Sequence, residues 1–84
     1  MDIQDYRTRI DQVDAELVRL YCERMEIAGE IGRYKREHGL PVTDTEREKN
    51  LLNRVGKLAG KENEEGVREL FALLMSHSRA KQKA

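Results

Sequence analysis

The chain has 84 residues, of which 38% are charged and 38% hydrophobic. This length allows one small domain at most, and a monomer of this composition would bury too little apolar surface for a sufficient core. The 16 Lys and Arg residues equal the 16 Asp and Glu residues in number. That balance argues against a nucleic acid or an anionic membrane as partner, because no excess of cations is available to release counterions. We therefore expect a single domain over residues 1–84 that packs against a partner chain.

The sequence shows no apolar run long enough for a signal peptide or a membrane-spanning helix. Its one cysteine, Cys22, has no second cysteine with which to form an internal disulfide, which is typical of a reducing compartment. We expect a soluble protein in the cytoplasm. Aromatic residues make up only 5% of the chain and there is one proline, which favours helices over sheets.

The first predicted element is one long helix over about residues 3–38. Its apolar residues recur alternately three and four positions apart, as in a heptad pattern. They are Ile3, Tyr6, Ile10, Val13, Leu17, Leu20, Ile27, Ile31 and Tyr34. Gly39 can supply the left-handed residue that ends a helix, and Pro41 disfavours helical geometry at the residue before it. Such a helix is about 50 Å long, whereas a compact domain of this size is roughly 30 Å across. The helix is therefore expected to pack against another chain.

Two shorter helices follow, over about residues 44–59 and 64–82. The second helix opens at Thr43 or Asp44, either of which is a good N-cap, with Glu46 and Glu48 placed for a capping box. The third carries an apolar stripe that includes Phe71 and ends in more polar sequence. The sequence predicts an all-α fold: a three-helix protomer with one long N-terminal helix, paired with a second copy as an intertwined helical homodimer.

Polar residues interrupt the apolar stripe of each helix. Arg24 occupies a seam position between Leu20 and Ile27, and Lys35 lies about 20° from it around the helix. Ser78 and Gln82 continue the stripe of the third helix at four-residue spacing. Because buried polar groups cost stability unless something retains them, we expect these residues to line one inward pocket. The predicted pocket residues are Arg24, Lys35, Asp44, Arg47, Glu48, Ser78 and Gln82.

The residue types of this predicted pocket suit a small dianionic ligand, because arginine binds carboxylates through paired donors. The pocket has no nucleophile with a base partner, no metal-ligand cluster and no glycine-rich phosphate loop, so we expect neither a metal nor a cofactor. Arg7 lies about 100° from Arg24 around the helix. It is expected to face elsewhere, and in a dimer it can reach the pocket of the other chain.

Each residue also has a structural interpretation. An arginine in a heptad seam can fix helix register or pair with a carboxylate such as Glu48, and the other polar residues can be helix caps or solvated positions. Gly29 and Gly32 are interpreted as sites of close helix approach. Cys22, His38 and His77 have no partner that the sequence identifies, and we assign them no function.

Taken together, the eight spaced residues resemble the all-helical (AroQ-type) chorismate mutases. The resemblance rests on Arg7, Arg24, Lys35, Asp44, Arg47, Glu48, Ser78 and Gln82 in register over nearly the whole chain. Members of that family are intertwined homodimers with two equivalent sites. The resemblance implies the pericyclic rearrangement of chorismate, a dicarboxylate, to prephenate in phenylalanine and tyrosine biosynthesis, without a cofactor. One departure is Arg79, where the family pattern leads us to expect an apolar pocket wall.

The resemblance also implies residue roles. Arg24 and the Arg7 of the partner would hold the two carboxylates, with Ser78 and Arg47 helping to place the ring. The catalytic residues implied are Arg24, Lys35, Glu48 and Gln82.

Among these, Lys35 and Gln82 would donate hydrogen bonds to the ether oxygen as its bond breaks. Glu48, with the backbone of Asp44, would hold the ring hydroxyl. Two alternatives stay open: an isochorismate-pyruvate lyase of the same fold, and a non-catalytic helical dimerisation or regulatory module.

Overall fold

A computed structural model describes residues 1–84 and contains three helices and no strand. Helix α1 spans Ile3–His38, α2 spans Thr45–Ala59 and α3 spans Glu64–Lys83. The predicted all-α, three-helix architecture is confirmed. None of the helices combines the length and apolarity needed to cross a bilayer.

The ends of α1 are set by local hydrogen bonds. At its start, the carboxylate of Asp2 accepts from the backbone of Asp5 and the Asp5 carboxylate accepts from the backbone of Asp2, which forms a reciprocal capping box. At its end, Gly39 adopts the left-handed conformation with φ of 64°. The backbone N–H of Leu40 then donates to the carbonyl of Lys35 at 2.8 Å. This left-handed glycine is the helix stop that the sequence predicts.

Asp44 is the N-cap of α2, and its carboxylate accepts from the backbone N–H of Arg47 at 3.0 Å. The capping box expected with Glu46 or Glu48 does not form. With Asp44 as the cap, the third helical position is Arg47, which has no carboxylate to return the bond. The Glu48 carboxylate therefore takes no part in the cap and is available to other side chains.

Helix α3 packs against both α1 and α2, which do not pack against each other. The buried apolar core consists of Leu51 and Val55 from α2 and Met75 from α3. Partly buried residues surround it, namely Leu52, Val67 and Phe71. Only eight residues in the chain are buried, so one copy forms a small core for its length.

The apolar seam of α1 extends far beyond this core. The chain measures 55 × 25 × 14 Å and has a radius of gyration of 15.9 Å, whereas a compact chain of this length has about 12 Å. Leu17, near the middle of the seam, is 54% exposed. The exposed seam residues are Ile3, Tyr6, Ile10, Val13, Leu17, Leu20, Ile27, Ile31 and Tyr34. An apolar face of this length, interrupted only at Arg24, marks an interaction surface.

Gly32 is where α1 and α3 approach most closely. A Cβ added there would lie 2.6 Å from the Cα and 2.9 Å from the carbonyl carbon of Gln82, and closer still to its oxygen. Gly29 is different, because its added Cβ would meet only the flexible side chain of Lys81 at 3.6 Å. The predicted close helix approach is therefore confirmed at Gly32, whereas Gly29 meets α3 only through the side chain of Lys81.

We expect Gly32→Ala to lower the free energy of unfolding by about 1–3 kcal/mol, because the new methyl group overlaps backbone atoms that cannot move aside independently. Gly29→Ala is the matched control and is expected to be neutral or to stabilise by up to about 1 kcal/mol through helix propensity. Urea unfolding at one fixed protein concentration measures both. Equal effects for the two variants would contradict the assigned contact.

Candidate active site

A pocket of about 410 Å³ lies where the C-terminal part of α1, the start of α2 and the end of α3 meet. Seven of the eight residues predicted from the sequence line it: Arg24, Lys35, Asp44, Arg47, Glu48, Ser78 and Gln82. Its apolar wall comes from Ile27, Ala28, Ile31, Val42, Leu51 and Met75. A cavity with apolar walls and a few polar side chains is the usual composition of a small-molecule site.

Arg24 projects from α1 toward α3, where its guanidinium donates to the hydroxyl oxygen of Ser78. The Ser78 hydroxyl in turn donates to the carbonyl of Leu74 at 2.9 Å, so its orientation is fixed. Burial, and then repulsion from Arg47, lower the pKa of Arg24. No carboxylate lies within ion-pair distance of Arg24. The side chain is therefore a partly desolvated cation without an anionic partner.

Lys35 and Gln82 form the second polar group of the pocket. The ammonium of Lys35 donates to the carbonyl of Val42 at 2.8 Å and to Oε1 of Gln82 at 3.0 Å. An ammonium has three donors, so one remains for a ligand. Gln82 is buried, and because its oxygen faces Lys35, its amide N–H groups remain available as donors.

Glu48 has an ion-pair partner that the sequence did not predict. Its Oε1 accepts from the guanidinium of Arg79 at 2.5 Å, and both side chains are partly buried. Arg79 is the departure from the family pattern noted in the sequence, and it lines the pocket with a charged side chain where that pattern has an apolar wall. A carboxylate oxygen has more than one lone pair, so this pairing still leaves Glu48 able to accept from a ligand.

The pocket carries more positive than negative charge. Asp44 uses its carboxylate on the cap of α2, and the exposed guanidinium of Arg47 makes no hydrogen bond or ion pair within the chain. Four cationic side chains stand against two carboxylates, an excess of two positive charges. The cationic residues are Arg24, Lys35, Arg47 and Arg79. This excess complements a small dianion.

Arg7 is the one predicted residue that does not reach the pocket. It is exposed and lies about 26 Å from Arg24 along the axis of α1. The prediction that it faces away from its own pocket is consistent with this position.

Sequence reasoning missed the partners of both histidines, which lie outside the pocket. His77 is within hydrogen-bond distance of the Tyr21 hydroxyl, 2.9 Å from Nδ1, with the rings edge to face. His38 stacks on Tyr34 one turn earlier in α1. The 34–38 pair has helical i, i+4 spacing, which could have indicated it, whereas the 21–77 pair joins different helices. Cys22 is exposed and free. No cluster of three or more His, Cys, Asp or Glu side chains is arranged to bind a metal.

The sequence model of one protein family, described as Chorismate mutase type II, matches residues 6–83. A chorismate mutase from Methanocaldococcus jannaschii is 32% identical over 84 residues, covering 96% of this chain and 84% of that protein. A solved structure of a conserved hypothetical protein from Pyrococcus furiosus is 32% identical and superposes with a TM-score of 0.81, over 95% of this chain and 93% of the other.

Longer relatives contain a matching segment. A bifunctional chorismate mutase/prephenate dehydratase from Escherichia coli strain K12 is 34% identical over 80 residues, which cover 93% of this chain. This chain spans only 21% of that relative's length. The similarity to such relatives therefore concerns one segment of a larger protein.

We expect Arg24→Met to leave the free energy of unfolding unchanged or to raise it by up to about 1 kcal/mol, because it removes a partly desolvated cation without a carboxylate partner. Arg19→Met is the control and is expected not to stabilise, since Arg19 is exposed and paired with Glu16 and Glu23. Urea unfolding without added anions measures both. A loss above about 2 kcal/mol for Arg24→Met would show that Arg24 holds the fold together.

Proposed function

The chain belongs to the chorismate mutase type II family, and on this premise we propose that its pocket binds chorismate and rearranges it to prephenate with the residues described above. Chorismate mutase activity makes the chain an isomerase of aromatic amino acid biosynthesis. The observation that carries the assignment to this pocket is the pair of free donors on Lys35 and Gln82, set beside unpaired cations. Such a pocket suits a dicarboxylate whose ether oxygen gains negative charge during reaction.

The rearrangement is intramolecular and pericyclic, so it needs no proton transfer and no covalent intermediate. The protein has two tasks: to hold the substrate in a compact conformation and to stabilise the developing charge. Arg24 would bind one carboxylate, with Ser78 fixing the guanidinium from behind. Ser78 and Arg47 would help to place the ring, and the apolar wall would exclude water from it.

Lys35 and Gln82 would stabilise the ether oxygen. The third N–H of Lys35 and the amide N–H of Gln82 would both point to it, because their other polar atoms are already bonded to each other and to Val42. A millionfold acceleration requires about 8 kcal/mol. Two preorganised donors worth roughly 3 kcal/mol each supply most of it, and conformational restriction supplies the remainder.

Glu48 would accept the ring hydroxyl while Arg79 holds its carboxylate. The backbone of Asp44, which is fixed by the capping bond of its side chain, would also hold the ring hydroxyl. The support for this role is that both residues line the same side of the pocket at the start of α2.

We further propose that two copies form an intertwined homodimer in which Arg7 of one copy completes the pocket of the other. The exposed seam runs from Ile3 past Ile31, and its middle is near Leu17. If a twofold axis passes through Leu17 of an antiparallel pair, residue 7 of one copy lies beside residue 27 of the other. Ile27 lines the pocket, so this register would bring the missing arginine to the site. The cytoplasmic location stays a prediction.

The activity is tested by incubating the protein with chorismate and measuring prephenate. We expect wild-type turnover not to require acid, because the Gln82 amide donates without titrating. Gln82→Glu must be protonated to donate, so its turnover should be present at acidic pH and lost as pH rises through the carboxyl pKa, ordinarily about 4.3. Parallel pH profiles for the two proteins would contradict the role of Gln82. Pyruvate release from isochorismate, without prephenate formation, would instead identify a lyase.

Mixing two inactive variants tests the cross-chain arginine. We expect Lys35→Ala to lose about 10²–10³ in kcat through its missing donor, and Arg7→Ala to be similarly weak. After complete subunit exchange, half of the dimers are mixed and each has one site without a lesion, so activity should return to about a quarter of wild type. Mixing Lys35→Ala with Gln82→Ala is the control. Each chain supplies both residues to its own pocket, so every site of a mixed dimer carries one of the two substitutions and no activity should return. No recovery after verified exchange would place Arg7 outside the site.

A further inference from the structure

The last turn of α3 carries Gln82, whose backbone carbonyl lies among the final four of the helix. Such carbonyls have no partner within their own helix. The guanidinium of Arg36, in the last turn of α1, donates to this carbonyl through Nη1 at 2.7 Å. A cation at a helix C-terminus also interacts favourably with the helix dipole. Arg36 thus supplies α3 with the hydrogen bond that the helix cannot make itself.

Three neighbouring positions of α1 contact Gln82. Gly32 leaves the space that the Gln82 backbone occupies, Lys35 binds its side-chain oxygen at 3.0 Å, and Arg36 binds its carbonyl oxygen at 2.7 Å. Residues of one turn of α1 therefore fix the packing distance, the side chain and the backbone of Gln82. Of the two cations, only Lys35 lines the pocket. Arg36 contacts Gln82 from outside the pocket.

We propose that Arg36 is a positioning residue for catalysis, which holds the backbone of Gln82 so that its amide points at the breaking ether bond. This inference rests on the role proposed above for Gln82. The contact is to the backbone, so removing the Gln82 side chain leaves the Arg36 bond intact. Any purely structural contribution of Arg36 should consequently be the same with or without that side chain, whereas its catalytic contribution should vanish.

A double-mutant cycle separates the two contributions. The proteins are the wild type, Arg36→Met, Gln82→Ala and the double variant, each measured for kcat and KM with chorismate and for unfolding by urea. Met keeps the apolar stem of arginine without its donors. Arg33→Met is the matched control, since Arg33 is an exposed arginine one turn earlier with no hydrogen bond in the chain.

We expect Arg36→Met to lower kcat by about 10-fold to 100-fold with little change in KM, because the misplaced donor acts in the transition state. In the Gln82→Ala background the same substitution should change kcat by less than about twofold. Its effect on unfolding should be equal in both backgrounds. Arg33→Met should retain wild-type kcat. Arg36→Lys, which keeps a cation and a donor, should recover part of the lost kcat and serves as the test variant if Arg36→Met does not fold.

The outcomes are distinguishable. Equal losses of kcat in both backgrounds, or wild-type kcat for Arg36→Met and Arg36→Lys, would overturn the positioning role while leaving the role of Gln82 intact. A Gln82→Ala variant with wild-type kcat would overturn the proposed role of Gln82 itself, and the positioning role with it. Loss of kcat confined to the background that contains the Gln82 side chain would support both.

Discussion

The contact between α1 and α3 at Gly32 and Gln82 determines the geometry of the site. Without a side chain at position 32, the last turn of α3 lies directly on α1, and in this alignment Lys35 reaches Gln82 and Arg24 reaches Ser78. Because α1 and α2 do not pack against each other, α3 is the element that aligns the two walls of the pocket. A displacement at this contact would separate the Lys35 and Gln82 donors that the proposed mechanism directs to one oxygen, and catalysis by preorganised donors is sensitive to shifts of about 1 Å.

We expect the polar pocket to lower the stability of the unliganded chain. Burial and the nearby cationic Arg47 lower the pKa of Arg24, which has no carboxylate partner, so we expect its charge to raise the free energy of the folded state. In the proposed function a dianionic substrate would supply the missing countercharge, so part of its binding energy would relieve the repulsion between Arg24 and Arg47. The Arg79–Glu48 ion pair has the opposite effect, because it satisfies two charges in advance and keeps one carboxylate available among four cations.

Features encoded by neighbouring residues could be predicted from the sequence, and contacts between helices could not. The heptad spacing and Gly39 define α1 locally, and Arg24 is conspicuous because it breaks an apolar seam. In contrast, the contacts of Arg79 with Glu48, Arg36 with Gln82 and Tyr21 with His77 join residues 31, 46 and 56 positions apart. These contacts depend on how packed helices are rotated and shifted relative to each other. The spacing of apolar residues does not define that geometry finely enough to pair individual side chains. That is why the pocket was predictable as a set of residues but the supporting contacts were not.

The proposed dimer accounts for the overlong helix, and the pocket accounts for how a chain of zero net charge can bind a dianion. A chain with balanced charge has no general attraction for polyanions, yet its pocket holds an excess of two positive charges, so the compensating carboxylates lie elsewhere on the surface. In that dimer the exposed seam of α1 would add the buried area that the small core lacks. Pairing two such seams about Leu17 would bury apolar surface and deliver Arg7 to the partner's pocket in the same step. Stability and completion of the active site would then depend on one interface, and the concentration that dissociates the dimer would also abolish activity.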